Sequence, residues 1–202
     1  MDFLPFEIYS APFPRDKYGW LWEIPNYLSD EEFWRISDSL LKHQPLPSDV
    51  YPNKSYHVDH TNKSLSILRY AREIFDYHLD NNEHAASYRF VQALESRKYM
   101  LNERVQGSPR GMKEYPSHTD GGKLLTCLIP LSPVKSVPTS FFGLDSKQEV
   151  VSIPWKVNHA YLFCSSSQYS WHGYVGDREH DRWVLNVNLH PVEESGHQID
   201  YS

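Results

Sequence analysis

The chain has 202 residues, 40% of them hydrophobic and 14% aromatic, enough apolar surface for one good core but too little chain for two. A formal net charge of −6 offers no basic field for phosphates, so nucleic-acid and anionic-membrane binding are disfavoured. No apolar run approaches the about 20 residues of a membrane span, and Met1-Asp-Phe-Leu-Pro lacks a charged, then apolar, leader.

These properties predict a single, cytoplasmic domain: a helical and irregular preface over 1–98, a β-rich body over 99–191 and a tail over 192–202. In the preface, Ser29-Asp-Glu-Glu32 has the pattern of a capping box, so a helix should start there. Phe33, Ile36, Leu40 and Leu41 recur at helical spacing until Pro45 and Pro47 end the pattern. Two further helices are expected, one from Ser64 to about Asn81 with Leu65, Leu68, Ile74, Phe75 and Leu79 as its stripe. The other runs from Glu83 to Arg97, with Ala86, Phe90, Val91 and Leu94 on one side.

From Tyr99 the texture changes to short β-rich runs separated by Gly, Pro, Ser and Asn. Strands are expected near 99–105, 123–131, 139–143, 149–153, 159–164, 169–174 and 182–190. Cys127 and Cys164 each lie inside such a run and read as buried free thiols.

In His118-Thr-Asp120, two residues apart on an extended chain face the same way, so an imidazole and a carboxylate can converge on one ion. His172, in Ser170-Trp-His-Gly173, is the candidate third ligand. Two imidazoles and one carboxylate leave coordination positions open, the donor set of non-haem iron(II) oxygenases. His57-Val-Asp59-His60 repeats the spacing, so the pair alone is weak evidence. The later pair is preferred because the apolar run 123–131 follows it and because it shares the β-rich half with His172.

Arg182, ten residues after His172, heads the run Asp181-Arg-Trp-Val-Leu-Asn-Val-Asn-Leu-His190. Its guanidinium is a permanent, forked cation suited to the far carboxylate of a dicarboxylic co-substrate. A surface ion pair with Asp177, Glu179 or Asp181 is the competing reading. Alternation puts Val184, Asn186 and Asn188 on the Arg182 face, and Leu124, Thr126 and Leu128 on the Asp120 face. Asn186, Thr126 and Asn102 are therefore candidate co-substrate contacts.

The order His118-x-Asp120, His172, Arg182 on a β-rich body resembles the iron(II)/2-oxoglutarate-dependent oxygenase superfamily. Leu125-Thr-Cys-Leu-Ile-Pro-Leu-Ser132 and Trp171-His-Gly173 are most similar to its prolyl-hydroxylase-like branch, of phage and bacterial type. The resemblance implies a mainly β double-stranded β-helix, or jelly roll, buttressed by N-terminal helices. It also implies Fe(II) on His118, Asp120 and His172, 2-oxoglutarate on Arg182, and O2 as oxidant. Pro130 stands where prolyl hydroxylases often place a co-substrate Tyr, and Thr139-Ser-Phe-Phe-Gly143 replaces their Gly-Gly-x-Leu pattern. Halogenating relatives lack the carboxylate that Asp120 supplies.

The expected activity is hydroxylation of a small molecule: an amino acid, a sugar or a natural-product intermediate. A protein side-chain (prolyl-type) hydroxylase and a cupin-like metal protein without 2-oxoglutarate are the alternatives. Trp20, Trp22, Tyr27, Tyr115, Trp155, Tyr169 and Trp171 are candidates for an aromatic wall, each with core packing as the plainer role. His159, His180 and His190 read as ordinary.

Overall fold

The computed structural model describes residues 7–8, 21–41, 54–56, 99–120, 123, 125–142, 149–164 and 170–191. The capping box forms: the Ser29 amide and hydroxyl donate to Glu32 Oε2 at 3.3 and 2.7 Å, and the Glu32 amide donates to Ser29 Oγ at 3.4 Å. Helix α1 (Asp30–Leu41) starts there and buries Ile36 and Leu40. The helices expected over 64–81 and 83–97 lie outside the described residues, as do His57, Asp59, Trp20 and Tyr169.

The strands are β1 (Glu7–Ile8), β2 (Leu21–Ile24), β3 (Lys54–Tyr56), β4 (Tyr99–Ser108), β5 (Glu114–His118) and β6 (Leu125–Ser132), followed by β7 (Thr139–Phe142), β8 (Glu149–Ile153), β9 (Ala160–Cys164), β10 (Trp171–Val175) and β11 (Arg182–Pro191). They form a seven-stranded sheet, β1-β2-β9-β6-β11-β4-β3, and a four-stranded sheet, β5-β10-β7-β8, with all pairings antiparallel. Counted from β4 to β11 as first to eighth, the cores of the two sheets read 1-8-3-6 and 2-7-4-5. That is the jelly roll, or double-stranded β-helix, which the resemblance implied.

Two sequence expectations need correction. The preface is not only helical, because β1, β2 and β3 add to the two edges of the large sheet. Strand β5 is absent from the expected set, since Pro116 sits inside it. Pro cannot donate to a ladder, and β5 accommodates it as the edge strand of the small sheet.

Alternation on β11 separates two surfaces. Leu185, Val187 and Leu189 face outward with Val105, Leu125, Cys127 and Ile129, all buried. Cys127 is a free buried thiol, and burial pushes its pKa up; the Cys164 side chain lies outside the described set. Facing inward between the sheets, Leu21, Phe141, Val151, Ile153, Tyr161 and Phe163 form one cluster. Full burial of such side chains contributes about 1.5–3 kcal/mol each. The inward residues of β11 and β4 are mostly polar instead, Val184 and Met100 apart, so the space between the sheets has one apolar flank and one largely polar flank.

Asn158, at φ 59, clips the preface to this frame. Its side chain accepts from the Leu28 amide at 2.8 Å and donates to the Leu28 carbonyl at 2.9 Å. Its own amide donates to Pro130 O on β6 at 2.9 Å. Among the described residues no helix is long and apolar enough to cross a membrane.

Candidate metal centre

His118 ends β5 and His172 is its direct cross-strand partner on β10, so the two imidazoles leave adjacent strands on one face. Their ring centroids are 4.4 Å apart. Between this pair and the next, Tyr115 opposite Tyr174, β5 carries one extra residue, a bulge. The bulge presses against Gly173: a Cβ there would lie 2.7 Å from Tyr115 O and 3.1 Å from Ser117 N. Glycine is therefore what lets β5 approach β10 closely enough to set His118 beside His172.

Both imidazoles are oriented in the same way. His118 Nδ1 lies 3.0 Å from Pro116 O, and His172 Nδ1 lies 2.9 Å from Ser170 O. A carbonyl can only accept, so each Nδ1 carries the proton and each Nε2 presents a lone pair. The Nε2 atoms face the two oxygens of Asp120, at 4.0 Å from Oδ1 for His118 and 3.9 Å from Oδ2 for His172. One donor atom from each of the three residues lies within 4.8 Å of the others.

Asp120 is buried and tightly held. Lys123 Nζ donates to Oδ1 at 2.6 Å and Thr126 Oγ1 donates to Oδ2 at 2.6 Å. Burial alone would raise its pKa, but His172, Lys123 and these two hydrogen bonds outweigh burial and hold the carboxyl well below the usual carboxylate range. The His172 ring packs against Phe141 and Phe163, at 5.4 and 5.0 Å. That burial, reinforced by His118, lowers its pKa to about 4, although Asp120 opposes the shift. At neutral pH the pocket thus holds an anionic carboxylate and a neutral His172, the protonation states that bind a metal. The His118 side chain is 36% exposed, so solvent reaches the centre from that side.

Arg182 begins β11, facing the same interior, and is 2% exposed. Its guanidinium is sandwiched, 3.7 Å from the Tyr174 ring centroid and 4.5 Å from that of Trp155. Thr139 Oγ1 accepts from Nη2 at 3.5 Å, while Nε and Nη1 are buried with no partner. Burial lowers its pKa to about 10, so it stays cationic at neutral pH. The surface ion-pair alternative does not form among the described residues. Asp177 accepts instead from Ser136 Oγ and the Glu179 and His180 amides, and Asp181 accepts from the Arg110 amide.

Other expected residues fall in varied places. Asn186 lies inward but donates to Gln106 Oε1. Thr126 supports Asp120, so its hydroxyl is engaged with that carboxylate and not free for a co-substrate. Asn102 faces inward opposite Asn188. Tyr115 stacks on Tyr174 and meets His118 edge-on, whereas Tyr27 is buried against the Asn158 clip. Trp171 alternates away from the metal face.

The sequence reading misses Lys123, Tyr174, Thr139, Arg104 and His190. His190, ordinary by sequence, shares the inward face with Asn188, and burial, helped by the charges of Lys123 and Arg104, lowers its pKa although Asp120 opposes the shift. Tyr174 and Arg104 are reachable by counting in steps of two from His172 and Asn102, but the strand order that makes those faces inward is not.

No protein-family model and no curated protein matches this chain. Among solved structures, the viral collagen prolyl hydroxylase of Paramecium bursaria Chlorella virus-1, in its 2OG complex, is similar at 14% identity and a TM-score of 0.55, over 86% of this chain and 97% of that one. A Pseudomonas putida prolyl-4-hydroxylase is similar at 9% identity and a TM-score of 0.53, over 86% of this chain and 93% of that one. A Trichoplax adhaerens prolyl hydroxylase, bound to a fragment of the hypoxia inducible factor oxygen degradation domain, is similar at 15% identity and 0.52, over 85% and 83%. The chain thus has the fold of prolyl hydroxylases.

Proposed function

We propose that the chain is an iron(II)- and 2-oxoglutarate-dependent hydroxylase of the cytoplasm that oxidises a small molecule with O2. The observation that carries this reading is Arg182: a buried cation whose Nε and Nη1 nitrogens have no partner among the described residues, on the same interior as a cluster of two imidazoles and one carboxylate. A buried unpaired charge is costly, and a dicarboxylate held between the metal and Arg182 would satisfy it. The cupin-like alternative needs Arg182 in a structural ion pair, and none forms among the described residues.

The donor set fits iron(II), with His118 Nε2, His172 Nε2 and one Asp120 oxygen as ligands. Iron with 2-oxoglutarate supplies the oxidising chemistry that converts a C–H bond to an alcohol. The chain's own part is positioning. Pro116 O and Ser170 O hold the imidazole tautomers, and Lys123 and Thr126 keep Asp120 ionised and oriented. Arg182, clamped between Tyr174 and Trp155, receives the far carboxylate. Tyr174, whose hydroxyl is engaged with Ser108 Oγ, supports Arg182 with the face of its ring. A second reading, hydroxylation of a protein prolyl residue, is favoured by the prolyl hydroxylases that share the fold.

Anaerobic titration with iron(II) and 2-oxoglutarate tests the proposal through the visible charge-transfer band of the chelate. The intact protein should show the band. Arg182→Ala should raise the half-saturating 2-oxoglutarate concentration at least tenfold, and His172→Ala should abolish the band. Its absence from the intact protein would overturn the assignment.

A further inference from the structure

The register that turns Arg182 inward turns Arg104 inward too: Asn186 on β11 is the direct partner of Arg104 on β4, and Asn186 shares the Arg182 face. Arg104 lies four residues along the ladder from Arg182, about 13 Å away, and toward the metal end. The next row in that direction is Asn102, Asn188 and Thr126, and Thr126 binds Asp120. His190, one row further, faces the same interior.

Arg104 has no counter-ion among the described residues, and its Nε is buried without a partner. The charges near it among the described residues do not leave one available. Asp120 is shared by Lys123 and the metal position. The far carboxylate of 2-oxoglutarate would neutralise Arg182, and its near carboxylate, with Asp120, would neutralise a divalent ion. Arg104 then remains a partly buried cation on the inward face, with a buried Nε that has no partner among the described residues. A buried N–H is costly until an acceptor reaches it, and an anionic acceptor suits a guanidinium best.

We infer that Arg104 binds an anionic group of the primary substrate, which is therefore a carboxylate-bearing small molecule, such as a free amino or organic acid, and not an uncharged stretch of peptide. The inference rests on the hydroxylase reading and narrows its substrate class. Arg104, Asn102 and Asn188, with an Oδ1 that is buried and unpartnered, form the recognition wall.

The test uses the full chain loaded anaerobically with iron(II) and 2-oxoglutarate. Free amino acids and simple organic acids, their carboxamides, and a proline-rich peptide blocked at both ends are titrated against it by calorimetry. At least one free acid should bind, with its carboxamide at least tenfold weaker. Arg104→Met should erase that acid-over-amide preference, and Arg104→Lys, which keeps the charge but not the fork, should retain part of it. The chelate band, read on the same samples, should keep its half-saturating 2-oxoglutarate concentration within about twofold in both variants.

Equal binding of acids and amides to the intact protein would overturn the inference, as would binding of the blocked peptide with no free acid bound. A tenfold rise in half-saturating 2-oxoglutarate in Arg104→Met would also overturn it, by assigning Arg104 to the co-substrate. Failure of the hydroxylase reading would look different, as loss of the chelate band from the intact protein. The acid-against-amide comparison needs no variant, so misfolding of Arg104→Met does not remove the test.

Discussion

Thr126 shows how one side chain changes role when its partner is seen. Read from parity, its hydroxyl is a candidate for the co-substrate; in the fold it donates to Asp120 Oδ2 at 2.6 Å. Groups that orient a metal ligand typically change metal affinity 10–100-fold when removed. Thr126→Val, which keeps the shape, should therefore weaken iron(II) binding by about 10–100-fold, as measured by metal titration. The half-saturating 2-oxoglutarate concentration, measured at saturating metal, should move much less. The reverse pattern would return Thr126 to the co-substrate role. Lys123, on the other carboxylate oxygen, is not anticipated by the sequence, because a Lys three residues after an Asp reads as a solvated pair until its ammonium is seen 2.6 Å from the buried carboxylate.

The meeting of β5 and β10 decides whether the two histidines converge. The bulge in β5 and the missing side chain at Gly173 are one device, since the extra residue needs the space that a Cβ would fill. Gly173→Ala should push β5 away, lowering stability by about 1–3 kcal/mol as overpacking does. It should also weaken metal binding, because His118 moves while His172 stays. Chemical denaturation and metal titration on the same variant check this. Lost stability with unchanged metal affinity would show that the bulge does not set the ligand spacing. Strand β5 is illegible in the sequence because Pro116 argues against a strand in any position but an edge, and edge position is a property of the sheet. The strands over 149–153 and 182–190 are legible because apolar and β-branched residues recur there at strand spacing.

For the molecule as a whole, the centre makes stability depend on pH. His172 has a folded pKa of about 4 against an ordinary 6.5, so between those values the unfolded chain binds a proton that the folded one excludes. His172 should thus contribute stability that rises with pH across that window, while Glu103, pushed up to about 7 by burial, contributes stability that is lost as pH rises from about 4.5 to 7. Asp120, held low, acts in the same direction as His172 at still lower pH, where protonation removes its contacts with Lys123 and Thr126. Melting temperatures of the metal-free Glu103→Gln variant from pH 7.5 to 4.5, in which the opposing carboxyl is removed, check the sign. A flat profile would mean that His172 is not buried as a neutral ring. Saturating iron(II) should raise the melting temperature at neutral pH, since it binds only the folded arrangement.

The sequence by itself determined the chemistry of the parts. The donor types of His118, Asp120 and His172, the permanent charge of Arg182 and the start of α1 at its capping box are properties of residue identity and local spacing. The β-rich character of the second half follows in the same way. Tertiary structure decided which of these parts meet. The pairing of His118 with His172 across fifty-odd residues depends on strand order, as do the burial of Arg182 with no ion pair among the described residues and the inward turn of Arg104. Strand order follows from packing two sheets face to face, a long-range constraint that no local window of the chain contains.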